Sequence, residues 1–335
     1  MSSRVIIGDC RAVLTTLEAG SVQTCVTSPP YWGLRDYGHA GQIGLESTPA
    51  EYVAEMVAVF REVRRVLRDD GTLWLNLGDS YVANRGNTAE KPGHDNKAVH
   101  EELFIRKHKI PGKPKDLVGI PWRVAFALQA DGWYLRQDII WSKPNPMPES
   151  VHDRCTKAHE YLFLLAKSER YYYDADAIAE PLAETSIERL GQNVAEQRGS
   201  ERVPGKTNGT MKAVARATDT YTGRAYEHPQ SAPRGPASNF GIFDKRNKRS
   251  VWTVTTQPFK GAHFATFPPA LIEPCILAGS KPGDTVLDPF GGSGTTGQVS
   301  EALGRKWLLI ELNGEYGKLC ADRTRQIGME LVCGS

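Results

Sequence analysis

The sequence predicts a doubly wound α/β domain, a mostly parallel sheet covered by helices on both faces. Three observations predict it. Apolar runs of strand length alternate with amphipathic stretches of helical period along most of the 335 residues. The runs stop at turn-forming clusters such as Gly8-Asp9, Ser28-Pro29-Pro30 and Asp288-Pro289, as strands do when they feed loops at one rim of an open sheet. Two long polar stretches, 83–117 and 182–250, interrupt the alternation and read as insertions into one domain.

Taken in order, Arg4–Ile7 is a short strand, followed by a helix near Arg11–Leu17, and Val22–Val26 is the next strand. Thr48-Pro49-Ala50-Glu51 combines a capping box with proline at the first helical position. Val53, Met56, Phe60, Val63 and Leu67 then recur at helical spacing up to the Asp70-Gly71 stop, and Thr72–Leu77 is a strand. Pro121–Ala130 is a helix, Gln137–Trp141 and Glu160–Ala166 are strands. Asp284–Leu287, Thr296–Leu303, Lys306–Ile310 and Glu315–Gln326 repeat strand, helix, strand, helix.

Composition narrows the class. No apolar run approaches the ~18 residues that span a bilayer. The chain reaches Asp9 and Arg11 before a signal-like segment forms, so a cytoplasmic protein is expected. Its six cysteines include no CxxC pair, which argues against a zinc knuckle and a disulfide framework; no metal is expected. The net charge is only +2, but residues 182–250 hold 12 Lys and Arg against 7 Asp and Glu. Residues 81–118 hold 8 against 5, which leaves −6 for the remainder. Such segregation suits a polyanion-binding surface on an acidic core, and equally a solvated loop surface.

Two motifs carry chemistry. Ser28-Pro29-Pro30-Tyr31-Trp32 stands where a strand ends, and its paired prolines remove two N–H donors, so the loop presents acceptors. An exocyclic base amine is a poor nucleophile because its lone pair is delocalised into the ring. Acceptors such as the Ser28 hydroxyl and the Pro29 carbonyl hold its hydrogens and return the lone pair to nitrogen, and Tyr31 offers a face for stacking. The second motif, Asp288-Pro289-Phe290-Gly291-Gly292-Ser293-Gly294-Thr295-Thr296, links a strand to a helix. Its glycines allow a tight turn and close ligand approach, without the lysine of a Walker loop. Glu311 ends the following strand, where a carboxylate can accept from ribose hydroxyls. The combination suits an adenosine ligand without phosphates.

These motifs resemble the amino-group DNA methyltransferases, in the permuted class whose catalytic motif precedes the cofactor motif. The catalytic tetrapeptide is matched by Ser28, Pro29, Pro30 and Tyr31, and the cofactor loop by Phe290, Gly292 and Gly294 beside Thr295. Gly8-Asp9-Cys10 matches a further strand-end motif, and His263, Phe267 and Pro268 match a His-x-x-x-Phe-Pro motif. The resemblance implies a Rossmann-like fold and S-adenosylmethionine as cofactor. Asp9 and Cys10 would lie at its adenine, Glu311 at the ribose, and His263, Phe267, Pro268 and Asp288 at the methionine end. It further implies double-stranded DNA as substrate, a flipped base and direct transfer without a covalent intermediate. Serine at the first motif position goes mostly with cytosine-N4 in that family; adenine-N6 is the alternative target.

The catalytic domain is expected over 1–181 and 251–330, a target-recognition region over 182–250 and a basic loop over 83–117. DNA contacts are expected at Trp32, Lys143, Arg224, Arg234, Lys245, Arg246, Lys248 and Arg249. Cys25 lies inside an apolar strand, and Pro274-Cys275 falls in a helix, so neither suits a covalent cytosine-5 mechanism. A glutamine-amide or RNA methylase and a non-catalytic DNA-binding protein are the competing readings. A cognate restriction endonuclease, and a monomer or homodimer, are left open. The permuted order carries one spatial consequence. Asp9 and Glu311 must share a pocket, so the first and last strands should be neighbours.

Overall fold

The computed structural model describes residues 2–82, 112–183, 185, 245–256 and 267–332, with side chains described to Thr324. Most of the two polar insertions, together with Arg224, Arg234 and His263, lies outside the described residues.

The sheet is built from β1 (Arg4–Ile7), β2 (Val22–Thr27), β3 (Leu67–Leu77), β4 (Tyr134–Ser142), β5 (His159–Ala166), β8 (Val251–Thr253), β9 (Thr285–Asp288) and β10 (Lys306–Glu311). Its order is β1-β10-β9-β2-β3-β5-β4-β8. Only β5 runs against its two neighbours, β3 and β4. The mostly parallel sheet is therefore as expected.

Helices cover both faces. On one, α1 (Cys10–Thr15), α2 (Pro49–Val66) and α3 (Ile120–Ala130) bury residues such as Leu14, Phe60 and Val124 against β2 and β3. On the other, α4 (Pro269–Gly279) and α5 (Thr295–Ala302) pack with Val26, Trp74 and Val286. Cys320 of α6 (Gly314–Val332) joins Trp307 and Leu309 of β10. Central β2 is buried along its whole length, as a strand covered on both faces must be.

Local chemistry explains most element ends. Thr48 Oγ1 accepts from Glu51 N at 3.2 Å and Glu51 Oε2 from Thr48 N at 3.1 Å, so the capping box opens α2 as expected. Its far end differs from expectation. The helix stops at Val66, and Leu67 is extended and already pairs with Val22. Residues Arg68–Gly71 form a bulge on β3, since Val22 faces Leu67 but Thr24 faces Thr72. Gly71 sits in that bulge because a Cβ there would be 2.9 Å from both Arg68 O and Gln23 O. Helical periodicity through Leu67 cannot register this, because Leu67 is buried either way.

Parallel pairing of β1 with β10 sets Ile7 opposite Glu311, and Gly8 N donates to Glu311 O at 2.9 Å. The first and last strands are neighbours. The chain divides into two compact units, Met1–Ile178 with Arg249–Ser335, and Ala179–Lys248. In the second, β6 (Glu180–Pro181) and β7 (Lys245–Arg246) form an antiparallel ribbon, with Glu180 3.6 Å from both Arg246 and Lys248.

Candidate active site

Four neighbouring parallel strands present their carboxyl ends in a row, and the chemistry-bearing loops follow from them. After β2 comes Ser28-Pro29-Pro30-Tyr31, and after β9 the glycine turn. Glu311 ends β10, and Gly8-Asp9 follows β1.

The loop after β2 is held from several sides. Thr27 Oγ1 donates to Asp288 Oδ1 at 2.6 Å, joining it to the end of β9. Buried Tyr52 on α2 donates its hydroxyl to the Pro30 carbonyl at 2.9 Å, which occupies one of that oxygen's lone pairs and ties the loop to the helix. Gly44, at φ +104°, lets a second loop close over it, because a Cβ there would be 3.2 Å from Tyr31 O. Trp32 does not face solvent. It is 3% exposed and donates its indole N–H to Glu46 O at 2.9 Å, so the expected DNA contact is replaced by a core anchor.

Tyr31 is the most constrained member. Its hydroxyl donates to Glu160 Oε2 at 2.7 Å and reaches Asn76 Oδ1 at 3.1 Å, while Ser28 Oγ donates to it at 3.4 Å. Burial first, and then the charge of Glu160, push the phenol pKa well above its ordinary value, so it remains a donor. The Cδ2–Cε2 side of the ring lies against Gly78, where a Cβ would be 2.8 Å from Tyr31 Cδ2 and closer still to Cε2. Gly78→Ala should therefore displace the ring. We expect methyl transfer to fall by about tenfold or more with cofactor affinity retained, measured by single-turnover kinetics and titration calorimetry. A wild-type rate in this variant would mean that the ring's seat is unimportant.

Lys143 is likewise engaged. It pairs with Glu160 and stands 4.2 Å over the Trp141 ring, with its side chain 18% exposed. The lysine expected at phosphate stands in a half-buried ion pair behind Tyr31. Glu160 was missed from sequence; the only signal was a carboxylate opening an apolar strand.

The turn after β9 is shaped by its glycines. Gly292 and Gly294 take φ of 52° and 83°, which only glycine adopts freely, and Gly294 opens α5 with no side-chain cap. Glu311 accepts from Gly292 N at 2.7 Å and Asn313 N at 2.8 Å, and burial raises its pKa. Thr295 is buried, its hydroxyl 3.3 Å from that of Ser293. Asp288 differs from expectation. It is 2% exposed, and both its oxygens are engaged, one by Thr27 Oγ1 and Phe290 N, the other by Thr296 Oγ1. Rather than facing a ligand, it fastens β2, the turn and α5 together.

At the end of β1, Asp9 caps α1 through Arg11 N at 2.9 Å and pairs with the Arg11 guanidinium at 2.6 Å. The side-chain bond from Arg11 holds its carboxyl below the ordinary carboxylate range. Arg11 also reaches Glu55 at 3.1 Å and the Gly41 carbonyl at 2.8 Å. Cys10, expected beside the cofactor, instead turns its thiol into the core, where burial raises its pKa to about 12. Phe267 packs against the core beneath β2 and β9, and Pro268 opens α4. Lys245 and Arg249 are exposed, whereas Arg246 and Lys248 share Glu180. Among the described residues no cluster of His, Cys, Asp or Glu could hold a metal ion. Nor is any helix among them long and apolar enough to cross a membrane.

Residues 22–322 match the N6_N4_Mtase family model, described as DNA methylase. The chain is 44% identical over 323 residues to the Type II methyltransferase M.SmaI of Serratia marcescens, covering 96% of this chain and 90% of that protein. It is 47% identical over 323 residues to M.XycI of Xanthomonas campestris pv. cyanopsidis, covering 96% and 87%. Among solved structures it is similar in fold to the PvuII DNA methyltransferase (cytosine-N4-specific), with TM-score 0.60, 19% identity and 96% and 86% coverage. A putative DNA modification methylase of Thermus thermophilus, complexed with S-adenosyl-L-methionine, gives TM-score 0.55, 22% identity and 97% and 93% coverage.

Proposed function

The chain belongs to the N6/N4 DNA methylase family, and from that premise we propose that it methylates the N4 amino group of cytosine in double-stranded DNA, using S-adenosylmethionine. The observation that carries the reading is the join between the two motifs: Thr27, directly before Ser28, is bonded to Asp288, directly before the glycine turn. Acceptor loop and nucleoside turn are thereby held at adjacent strand ends.

The residues present fit the cofactor. Glu311 keeps a lone pair on each carboxylate oxygen for ribose hydroxyls, and the left-handed glycines bring backbone close to a ligand. Asp9 at the neighbouring strand end serves the adenine side. When bound, S-adenosylmethionine supplies an electrophilic methyl group on a sulfonium. The protein's own part is positioning. Ser28 Oγ, which donates to Tyr31, accepts from the amine with its lone pairs and draws the nitrogen toward tetrahedral geometry. The Pro29 carbonyl is the second acceptor, on a loop that the Tyr52 bond to Pro30 holds in place. A base inside the duplex cannot meet this geometry, so it is turned out at a cost of a few kcal/mol, part of which stacking on Tyr31 restores.

Cytosine is favoured because serine, not aspartate or asparagine, opens the tetrapeptide. Sequence reading is assigned to residues 182–250, whose basic surplus suits phosphate and guanine contacts. The test is to incubate duplex DNA with labelled cofactor and digest it to nucleosides. Label is expected in N4-methyldeoxycytidine; label only in N6-methyldeoxyadenosine would overturn the cytosine assignment. In the same assay a chain lacking 182–250 should bind cofactor yet leave the DNA unlabelled, and methylation by it would remove that segment's role.

A further inference from the structure

We propose that Glu160 is a positioning residue for methyl transfer, setting the tilt of Tyr31 and so the plane of the target base. The inference rests on the reading of Tyr31 as the base's platform. It adds a residue from a strand to which no motif assigns a role.

The geometry is specific. The backbone of the Ser28–Tyr31 loop is fixed by two prolines and by the Tyr52 bond to Pro30. What remains free is the rotation of the Tyr31 ring, and its far end is caught by Glu160 Oε2 at 2.7 Å. Asn76 on β3 supports the same point, 3.1 Å from the hydroxyl, and is itself anchored by donating to Tyr161 O at 3.1 Å. Gly78 closes the near side of the ring. Tilt is thus determined at both ends.

A half-buried carboxylate here also calls for an explanation. Glu160 is 15% exposed at its side chain and is the second residue of a strand that goes on to buried Leu162, Phe163, Leu164 and Leu165. A carboxylate drawn partly out of water loses hydration and needs a partner. Lys143 supplies the pair. The register of β4 on β5 sets Trp141 opposite Glu160, and Lys143, two residues on, folds back over the Trp141 ring to reach Oε1. Lys157, whose amine donates to Asp79 O at 2.6 Å, adds a second nearby positive charge. One carboxylate oxygen is therefore held by the cation while the other receives the phenol. A neutral apolar residue at 160 would fill the space without orienting anything.

Orientation matters because transfer is in line: the amine lone pair must point along the methyl–sulfur axis. Misplacement by about 1 Å lowers rates by about 10²-fold. The test measures single-turnover methylation of duplex DNA, with cofactor binding by calorimetry, for the Glu160→Ala, Glu160→Gln, Tyr31→Phe and Tyr31→Phe/Glu160→Ala variants. A duplex carrying 2-aminopurine at the target position reports stacking of the turned-out base through its fluorescence. Glu160→Ala should slow transfer by about 10- to 100-fold and change the fluorescence with cofactor affinity near wild type, while the melting temperature falls because Lys143 loses its partner. Glu160→Gln, which keeps an acceptor for the phenol, should recover most of that rate. In the Tyr31→Phe background, where the hydroxyl is absent, loss of Glu160 should add less than about threefold.

A wild-type rate in Glu160→Ala, or an equal loss in both backgrounds, overturns the proposal. So does a loss confined to cofactor binding or stability. Tyr31→Ala separates the two levels. If that variant transfers normally, the platform reading fails; if it is inactive while Glu160→Ala is unimpaired, only the role of Glu160 fails.

Discussion

Alanine at Ser28 or Tyr31 should slow single-turnover methyl transfer to duplex DNA by about 10²-fold or more while cofactor affinity stays within a few-fold of wild type. The two side chains act on different parts of one event. Ser28 Oγ is the side-chain acceptor for the amine, and its loss leaves only the Pro29 carbonyl for two hydrogens. Tyr31 restores part of the unstacking energy, which Tyr31→Ala forfeits together with the seat on Gly78. Because both act on the same base, the double variant should be little worse than the poorer single one. Neither residue belongs to the glycine turn or the Glu311 end of the site, so calorimetric cofactor binding is the control. A wild-type rate in both single variants would remove the active-site assignment.

The second large effect concerns Asp288, which acts on stability. Asp288→Ala leaves the Thr27 hydroxyl and the Phe290 N–H without their acceptor and Thr296 with only the longer contact to the Val26 carbonyl. Orphaning buried polar groups in this way should destabilise the fold by about 3–5 kcal/mol, a fall in melting temperature on the order of 10 °C. Asp288→Asn should be far milder. Its amide oxygen keeps Thr27 and Phe290, while Thr296 turns to the Val26 carbonyl, already 3.4 Å away.

The pH dependence has a defined sign. Burial raises the native pKa of Asp288 above its ordinary value, so the folded chain binds this proton more tightly than the unfolded one. The resulting stabilisation is fully present below the ordinary carboxylate value and is lost as pH rises through the raised native value. The difference in unfolding free energy between wild type and Asp288→Asn, followed by chemical denaturation across that range, should shrink accordingly. A flat difference would mean that the carboxyl carries no shift, and an Asp288→Ala melting curve within about 2 °C of wild type would show that the fastening is unimportant.

Legibility in the sequence varied with the distance over which a residue acts. The capping box at Thr48 and the glycine turn follow from neighbours within a few positions and appear where expected, and the strands expected to end at Val26 and Leu287 run one residue further, to Thr27 and Asp288. Adjacency of β1 and β10 was also readable, because a ligand contacted from both chain ends requires it. Where helix α2 gives way to strand β3 was not, since buried Leu67 satisfies either period. The placement of Trp32 and Lys143 was not legible for a related reason. Next to a catalytic motif, an aromatic and a lysine suggest contact with DNA, but their partners, Glu46 and Glu160, come from elsewhere in the chain.

The amino-acid sequence by itself determined the sheet class, the strand ends that carry chemistry and the order in which they occur. It did so through local periodicity, turn chemistry and motif spacing. Only the tertiary structure decided how those groups are oriented. Glu160 meets Tyr31 across 129 residues, and Asp288 meets Thr27 across 261. Hydrogen bonds between parts of the chain so far apart depend on strand register and burial, which no local pattern encodes.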